Sequence, residues 1–151
     1  MRREGIPVAL EPPTRKGRAA AGHDPRPRLE GVRMITSCDG LQILVGRSGR
    51  HNHRLTFKLS APDDFWLHAR GTPGAHVVIR NDRRCPRPPE ATLREAAAIA
   101  AWFSDSRRQP FVEVHWTRRK FVRAIRGAPP GTVTLKRYET VRVRPGLPES
   151  G

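Results

Sequence analysis

The sequence predicts a single α+β domain, a largely antiparallel sheet with one or two helices packed on it. Three observations lead there. Short runs of alternating apolar residues recur along the chain, Gly- and Pro-containing turn signals separate them, and one stretch near residue 92 carries three- and four-residue helical spacing.

Residues 1–31 include EPPTRKGRAAAGHDPRPRLEG, rich in Pro, Gly, Ala and Arg without either periodicity. Such a composition buries too little apolar surface to offset its ordering entropy, so a flexible basic arm is expected there. A short tail is expected over 145–151, which leaves 32–144 as the folded domain.

Val32 to Ser37 and Leu41 to Gly46 read as two strands joined at Asp39-Gly40, a dipeptide suited to a type I′ hairpin. Gly46 to Arg50 reads as a loop. Asn52 reads as the cap of a short helix over His53 to Ser60, although alternation of Leu55, Phe57 and Leu59 also fits a strand. Phe65 to Ala69 and His76 to Arg80 read as strands around Arg70-Gly71-Thr72-Pro73-Gly74.

Thr92-Leu93-Arg94-Glu95 has the pattern of a capping box, and Leu93, Ala96, Ala97, Ala100 and Phe103 share a helical face. The helix is expected to end near Arg107. Phe111 to Trp116, Thr132 to Leu135 and Thr140 to Val143 alternate as strands, with Gly127-Ala128-Pro129-Pro130-Gly131 as a turn.

Charge narrows the partners. The 151 residues carry a formal net charge of +15 and a sequence pI near 11.6, which makes a polyanion the first partner to consider. Seven basic and four acidic residues fall in 1–30, eleven and six in 31–100, and eleven and four in 101–151. The excess is therefore densest in the last third. Of the 29 basic residues 25 are Arg, the side chain that forks phosphates and stacks on bases, although a GC-rich genome would also favour Arg over Lys.

Apolar runs are far shorter than the ~18 to 20 residues a bilayer helix needs, and Met1 to Leu10 lacks a secretory apolar core. A cytoplasmic protein without membrane association is expected. Cys38 and Cys85 are isolated and suit ordinary reduced thiols.

The densest polar chemistry is DDFWLHARGTPGAHVVIR, residues 63–80. His68 and His76 with Asp63 or Asp64, and His51 and His53 nearby, supply ligand types for a metal, but their spacing fits no common metal signature. Nucleophile elbows and phosphate-binding loops are absent from the sequence. Adjacent Asp63 and Asp64 would point apart on a strand and suit a turn cap better. Accordingly neither a metal nor a cofactor is expected.

RNA recognition needs cations for phosphates and flat groups for bases. Trp116 and Phe121 interleave with Arg118, Arg119, Lys120, Arg123 and Arg126, and the 63–80 stretch pairs Trp66, His68 and His76 with Arg70 and Arg80. Strand neighbours face opposite ways, so one of Phe65 and Trp66 is expected in a core and the other partly exposed. At least one of Trp116 and Phe121 is expected in the core as well.

The order and spacing of these residues resemble the NFACT-R family. The resemblance runs through Gly46-Arg47, Asn52, Leu55-Thr56, Lys58, Asp64-Phe65-Trp66-Leu67-His68-Ala69-Arg70 and Pro73-Gly74-Ala75-His76-Val77-Val78-Ile79. It continues through Thr92-Leu93, Glu95-Ala96-Ala97, Ala100-Ala101, Phe103-Ser104, Val114-His115-Trp116-Thr117, Lys120, Val122, Gly127, Gly131 and Val133. Departures are His53 in place of an acid, Ala75 in place of Ser and Trp116 in place of Tyr.

The resemblance implies an RNA-contacting domain. In full-length NFACT proteins the setting is tRNA beside the large ribosomal subunit during ribosome-associated quality control, together with an NFACT-N domain, helix-hairpin-helix elements and coiled coils. Those proteins help add a C-terminal tail to stalled nascent chains. The combined expectation is a non-catalytic module for tRNA or rRNA. Asn52, Asp64, His68 and His76 would shape one loop surface, where Arg47, Arg50, Arg54, Lys58, Arg70 and Arg80 meet phosphate. Trp66 and Trp116 would offer rings, and Arg118, Arg119, Lys120 and Arg123 would extend the basic face. The rival expectation is an RNA-processing or RNA-modifying enzyme using Asp64, His68 and His76 as acid/base groups or ligands.

Overall fold

A computed structural model describes residues 29–148. Eight strands are arranged as β1 (Val32–Thr36), β2 (Gln42–Gly46), β3 (Phe65–Ala69), β4 (Val77–Ile79), β5 (Val112–Arg118), β6 (Val122–Ala124), β7 (Val133–Leu135) and β8 (Glu139–Val143). Helix α1 (Gly49–Arg54) runs directly into a π-helical turn, Leu55–Leu59, and α2 spans Glu90–Trp102. The main sheet is antiparallel throughout, in the order β1-β2-β4-β3-β5-β8, and β6 and β7 form a separate two-stranded ribbon. This is the expected α+β architecture with its two helices. Residues 1–28 of the expected arm and 149–151 of the tail lie outside the described residues.

Strand alternation sends apolar residues to both faces of this sheet; among the described residues α2 covers one face, and the other is covered around β2, β4 and β3. On one side α2 lays Leu93, Ala96, Ala97 and Ala100 over Ile43, Phe65, Leu67, Ile79 and Val114; the small alanines let the helix backbone approach closely. On the other, Leu55 of the π-turn and Val122 of β6 close over Leu44, Trp66 and Val78. Fully burying each such side chain stabilises by roughly 1.5–3 kcal/mol.

Several local expectations change. The β1–β2 connection is not a two-residue type I′ turn: Gly40 alone has positive φ, at 83°, and Gly40 N donates to Ser37 O across a wider loop. The helix expected at His53 begins at Gly49, capped by Ser48, whose hydroxyl accepts from His51 N. Asn52 is therefore inside the helix and buried. Thr92 and Glu95 do not close a capping box either. Helix α2 starts at Glu90 after Pro89, Thr92 Oγ1 donates to Asp39 Oδ2 and accepts from the Ser37 hydroxyl, and Glu95 accepts from Cys38 N. The pair ties the helix to the β1–β2 loop instead. Helix α2 ends at Trp102, five residues before Arg107. Strand β6 was not anticipated, because its three residues are too few to show a period.

Both Phe65 and Trp66 are buried, each 1% exposed. The expectation that one would face solvent fails because the α1–π segment and the β6–β7 ribbon cover the second face of the sheet around β2, β4 and β3.

Candidate nucleic-acid interface

Where the β2–α1 loop, the β3–β4 turn and the β6–β7 turn converge, they enclose an open cleft of about 490 Å³, lined by Arg33, Arg47, His68, Phe103 and Thr132 among others. Glycines permit that convergence. A Cβ on Gly46 would stand 2.1 Å from Asn52 Oδ1, and Gly131, at φ +91°, approaches Gly49 O.

The floor is a buried polar network. His76 N donates to Asn52 Oδ1 at 3.1 Å, while Asn52 Nδ2 reaches Gly74 O at 3.5 Å. His76 Nε2 lies 2.9 Å from Gly131 O and Nδ1 lies 2.7 Å from Thr56 Oγ1. A carbonyl only accepts, so the proton sits on Nε2 and Nδ1 accepts from the Thr56 hydroxyl. Trp66 Nε1 donates to Thr56 Oγ1 at 3.1 Å and approaches His76 Nδ1 at 3.3 Å. His68, half-buried, donates from Nδ1 to Ala69 O and stacks on the Trp66 ring, with centroids 5.9 Å apart and planes within 7°. One neutral histidine thereby joins β4, the π-turn, β3 and the β6–β7 turn.

Burial pushes the His76 pKa down to about 3; nearby His68 adds to the effect and the Gly131 carbonyl opposes it. His68 is lowered as well, chiefly by burial. An unfolded histidine titrates near 6.5, so between pH 6.5 and 3 the unfolded chain binds the extra proton. The contribution of His76 is therefore complete above about pH 6.5 and lost as pH falls toward 3, at up to ~1.4 kcal/mol per pH unit. Asp64, whose pKa burial raises, has the opposite sign: its contribution is present at low pH and lost as pH rises through the raised value. Urea midpoints between pH 7 and 4.5 should fall more steeply in the wild type than in His76→Asn; equal slopes would refute the assignment to His76.

The structure separates the expected RNA-contacting residues into two groups. Asn52, Trp66, His76 and Asp64 are buried, and they hold the surface from beneath. Both Asp64 oxygens are taken, by Ala61 N and Asn81 N, and Asp64 sits before the first residue of β3 while His68 is near its end. His68 and His76 do meet, with ring centroids 5.6 Å apart, but Asp64 is engaged elsewhere, so the three-residue constellation is not assembled. Trp116 is also buried, on the α2 side, edge-on to Phe65 with the Arg87 guanidinium over its ring. Neither Trp66 nor Trp116 presents a face for base stacking.

Several cations are structural too. Arg118 donates to the carbonyls of Asp63, Cys85 and Pro86 and lies over Phe65. Arg119 donates to Thr56 O and covers Phe57. Arg80 donates to Leu59 O, Lys120 pairs with Asp63, and Arg70 pairs with Glu113. Arg47, Arg50, Lys58 and Arg123 are exposed, and among the described residues none of them has an ion pair. Arg54 is half-buried, and its Nη1 is buried with no protein partner among the described residues. Of the expected contacts, those left exposed and without an ion pair among the described residues therefore lie on the β2–α1 loop, the helical segment after it and β6.

Thr56 is the network member that sequence reasoning left without a role; an isolated Thr carries no signal of a buried histidine 20 residues away. Among the described residues, no group of three or more His, Cys, Asp or Glu side chains is placed to hold a metal ion. No helix among them is long and apolar enough to cross a membrane.

Comparison with known proteins gives a consistent result. A family model described as the NFACT protein RNA binding domain matches residues 32–137. The chain is 40% identical over 136 residues to the Rqc2 homolog RqcH of Bacillus subtilis, covering 90% of this chain and 22% of that protein. To the Rqc2 homolog RqcH of Streptococcus pneumoniae it is 38% identical over 121 residues, covering 80% and 21%. The chain thus spans about a fifth of these relatives. A solved structure of the C-terminal of the fibronectin/fibrinogen-binding protein from Streptococcus suis superposes with a TM-score of 0.72 at 33% identity, covering 84% of this chain and 50% of that one.

Proposed function

The chain belongs to the NFACT protein RNA-binding domain family, and from that membership we propose that it is a non-catalytic RNA-binding module of ribosome-associated quality control. Its RNA is tRNA or rRNA, met in the cytoplasm beside the large ribosomal subunit. The relatives' names, Rqc2 homologs, support the process. The observation that carries the surface is the separation of roles: neutral, hydrogen-bonded groups build the floor, Arg47 lines the cleft, and Arg50, Lys58 and Arg123 are exposed on α1, the π-turn and β6.

Cations facing outward from a rigid scaffold bind phosphates through counterion release, so affinity should depend steeply on salt. Four phosphate contacts would give a slope of log affinity on log salt of about −2.8 to −3.6. Filter binding of tRNA between 50 and 200 mM salt, with and without EDTA, tests this. A steep slope unchanged by EDTA and intact RNA at the end are expected. A slope near zero, or metal-dependent cleavage, would overturn the proposal.

A further inference from the structure

We propose that the half of the main sheet that no described element covers on the Trp66 side, over β5 and β8, docks a short single-stranded RNA segment, with Phe111 and Tyr138 as base-stacking platforms and Arg142 and Arg144 as phosphate partners. The inference rests on the RNA-binding reading above but concerns a different surface from the cleft.

The α1–π segment and the β6–β7 ribbon cover the Trp66 face of the sheet around β2, β4 and β3. They stop short of β5 and β8. Strand alternation and register place Arg70, Phe111, Glu113, His115, Thr140 and Arg142 on that face. Two rings there are open, Tyr138 at 54% and Phe111 at 44% exposure. Each already has neighbours that hold it: Tyr138 lies against the His115 imidazole at 4.2 Å, and Phe111 carries the guanidinium groups of Arg142 at 4.7 Å and Arg144 at 5.4 Å. Thr140 Oγ1 holds His115 Nδ1 at 3.0 Å, and burial lowers the His115 pKa, so the imidazole is a neutral flat support.

The sign of the patch favours phosphate. Its carboxylate, Glu113, is paired with Arg70, whereas Arg142 and Arg144 have no ion pair among the described residues. Phe111, just before β5, and Thr117, opposite Tyr138 when the β5–β8 register is continued by one residue, are six residues apart, about 20 Å at ~3.4 Å per residue. That span takes a few extended nucleotides. Open rings flanked by guanidinium groups are what unpaired bases use, since a duplex keeps its base faces stacked inside.

The test uses the full chain, a short oligouridylate containing a photoreactive 4-thiouridine, and tRNA. Expected results are a crosslink mapping to Phe111, Tyr138 or their strand neighbours, and a loss of oligonucleotide affinity of at least roughly fivefold for each of Phe111→Leu and Tyr138→Leu. The paired variant Arg142→Gln, Arg144→Gln should weaken binding and flatten its salt dependence, which a merely structural role for the rings would not do. Crosslinks confined to the Arg47–Arg50 region, with oligonucleotide affinity unchanged in all these folded variants, would overturn the inference and leave the cleft reading standing. Failure of the wild type to bind either tRNA or the oligonucleotide would overturn both. Capture of a protein at this face with no oligonucleotide binding would overturn the RNA assignment of the sheet alone.

Discussion

His76→Ala is expected to lower the stability of the domain by about 3 kcal/mol, enough to reduce the melting temperature by ~10 °C. The imidazole is 1% exposed and spans the Thr56 hydroxyl and the Gly131 carbonyl. Truncation leaves both without their partner in a site that the rest of the chain closes, and adds the cavity of the missing ring. Trp66 keeps its bond to Thr56, which limits the loss. Because the Gly131 carbonyl bond ties the β6–β7 turn to His76, amide exchange near residues 130–132 should accelerate more than exchange in α2. A melting temperature within 2 °C of wild type would refute the central role given to this side chain.

The second large effect is expected at Arg47 and Arg50. The double variant Arg47→Ala, Arg50→Ala should retain the wild-type melting temperature, since both side chains are exposed and neither forms an ion pair among the described residues. Its affinity for tRNA at ~0.1 M salt should fall roughly tenfold, with the salt slope shallower by about 1.4 to 1.8. Arg118→Ala should behave in reverse, because that guanidinium tethers the carbonyls of Asp63, Cys85 and Pro86: stability falls while the salt slope is kept. Equal tRNA binding by the Arg47, Arg50 variant and the wild type would place the phosphate contacts elsewhere.

Much of this fold is legible without coordinates. Strands β1 through β5, β7 and β8 show their alternation or apolar runs, and α2 shows its alanine-rich face, because those signals are local and periodic. What misled were residues with two good local uses. Asn52 is a natural helix cap, yet its amide is spent on His76 N and Gly74 O. Thr92 and Glu95 have capping-box spacing, yet they reach the β1–β2 loop across more than fifty residues. A hydrogen-bonding side chain advertises its chemistry but not its partner.

The same distinction governs the site. The sequence by itself determined the cationic character of the chain, the antiparallel α+β architecture and, through the order of its motifs, the resemblance to an RNA-binding family. Only the tertiary structure decided which of the chemically similar residues face outward. Trp66 and Trp116 looked like stacking rings and are buried on opposite faces of the sheet, while Phe111 and Tyr138, which no motif singled out, stand open. Arg118 and Arg119 looked like phosphate contacts and are spent on backbone carbonyls, whereas Arg47 and Arg50 remain exposed. Charge, ring and periodicity are properties of residues along a chain; burial is a property of what long-range packing lays over them.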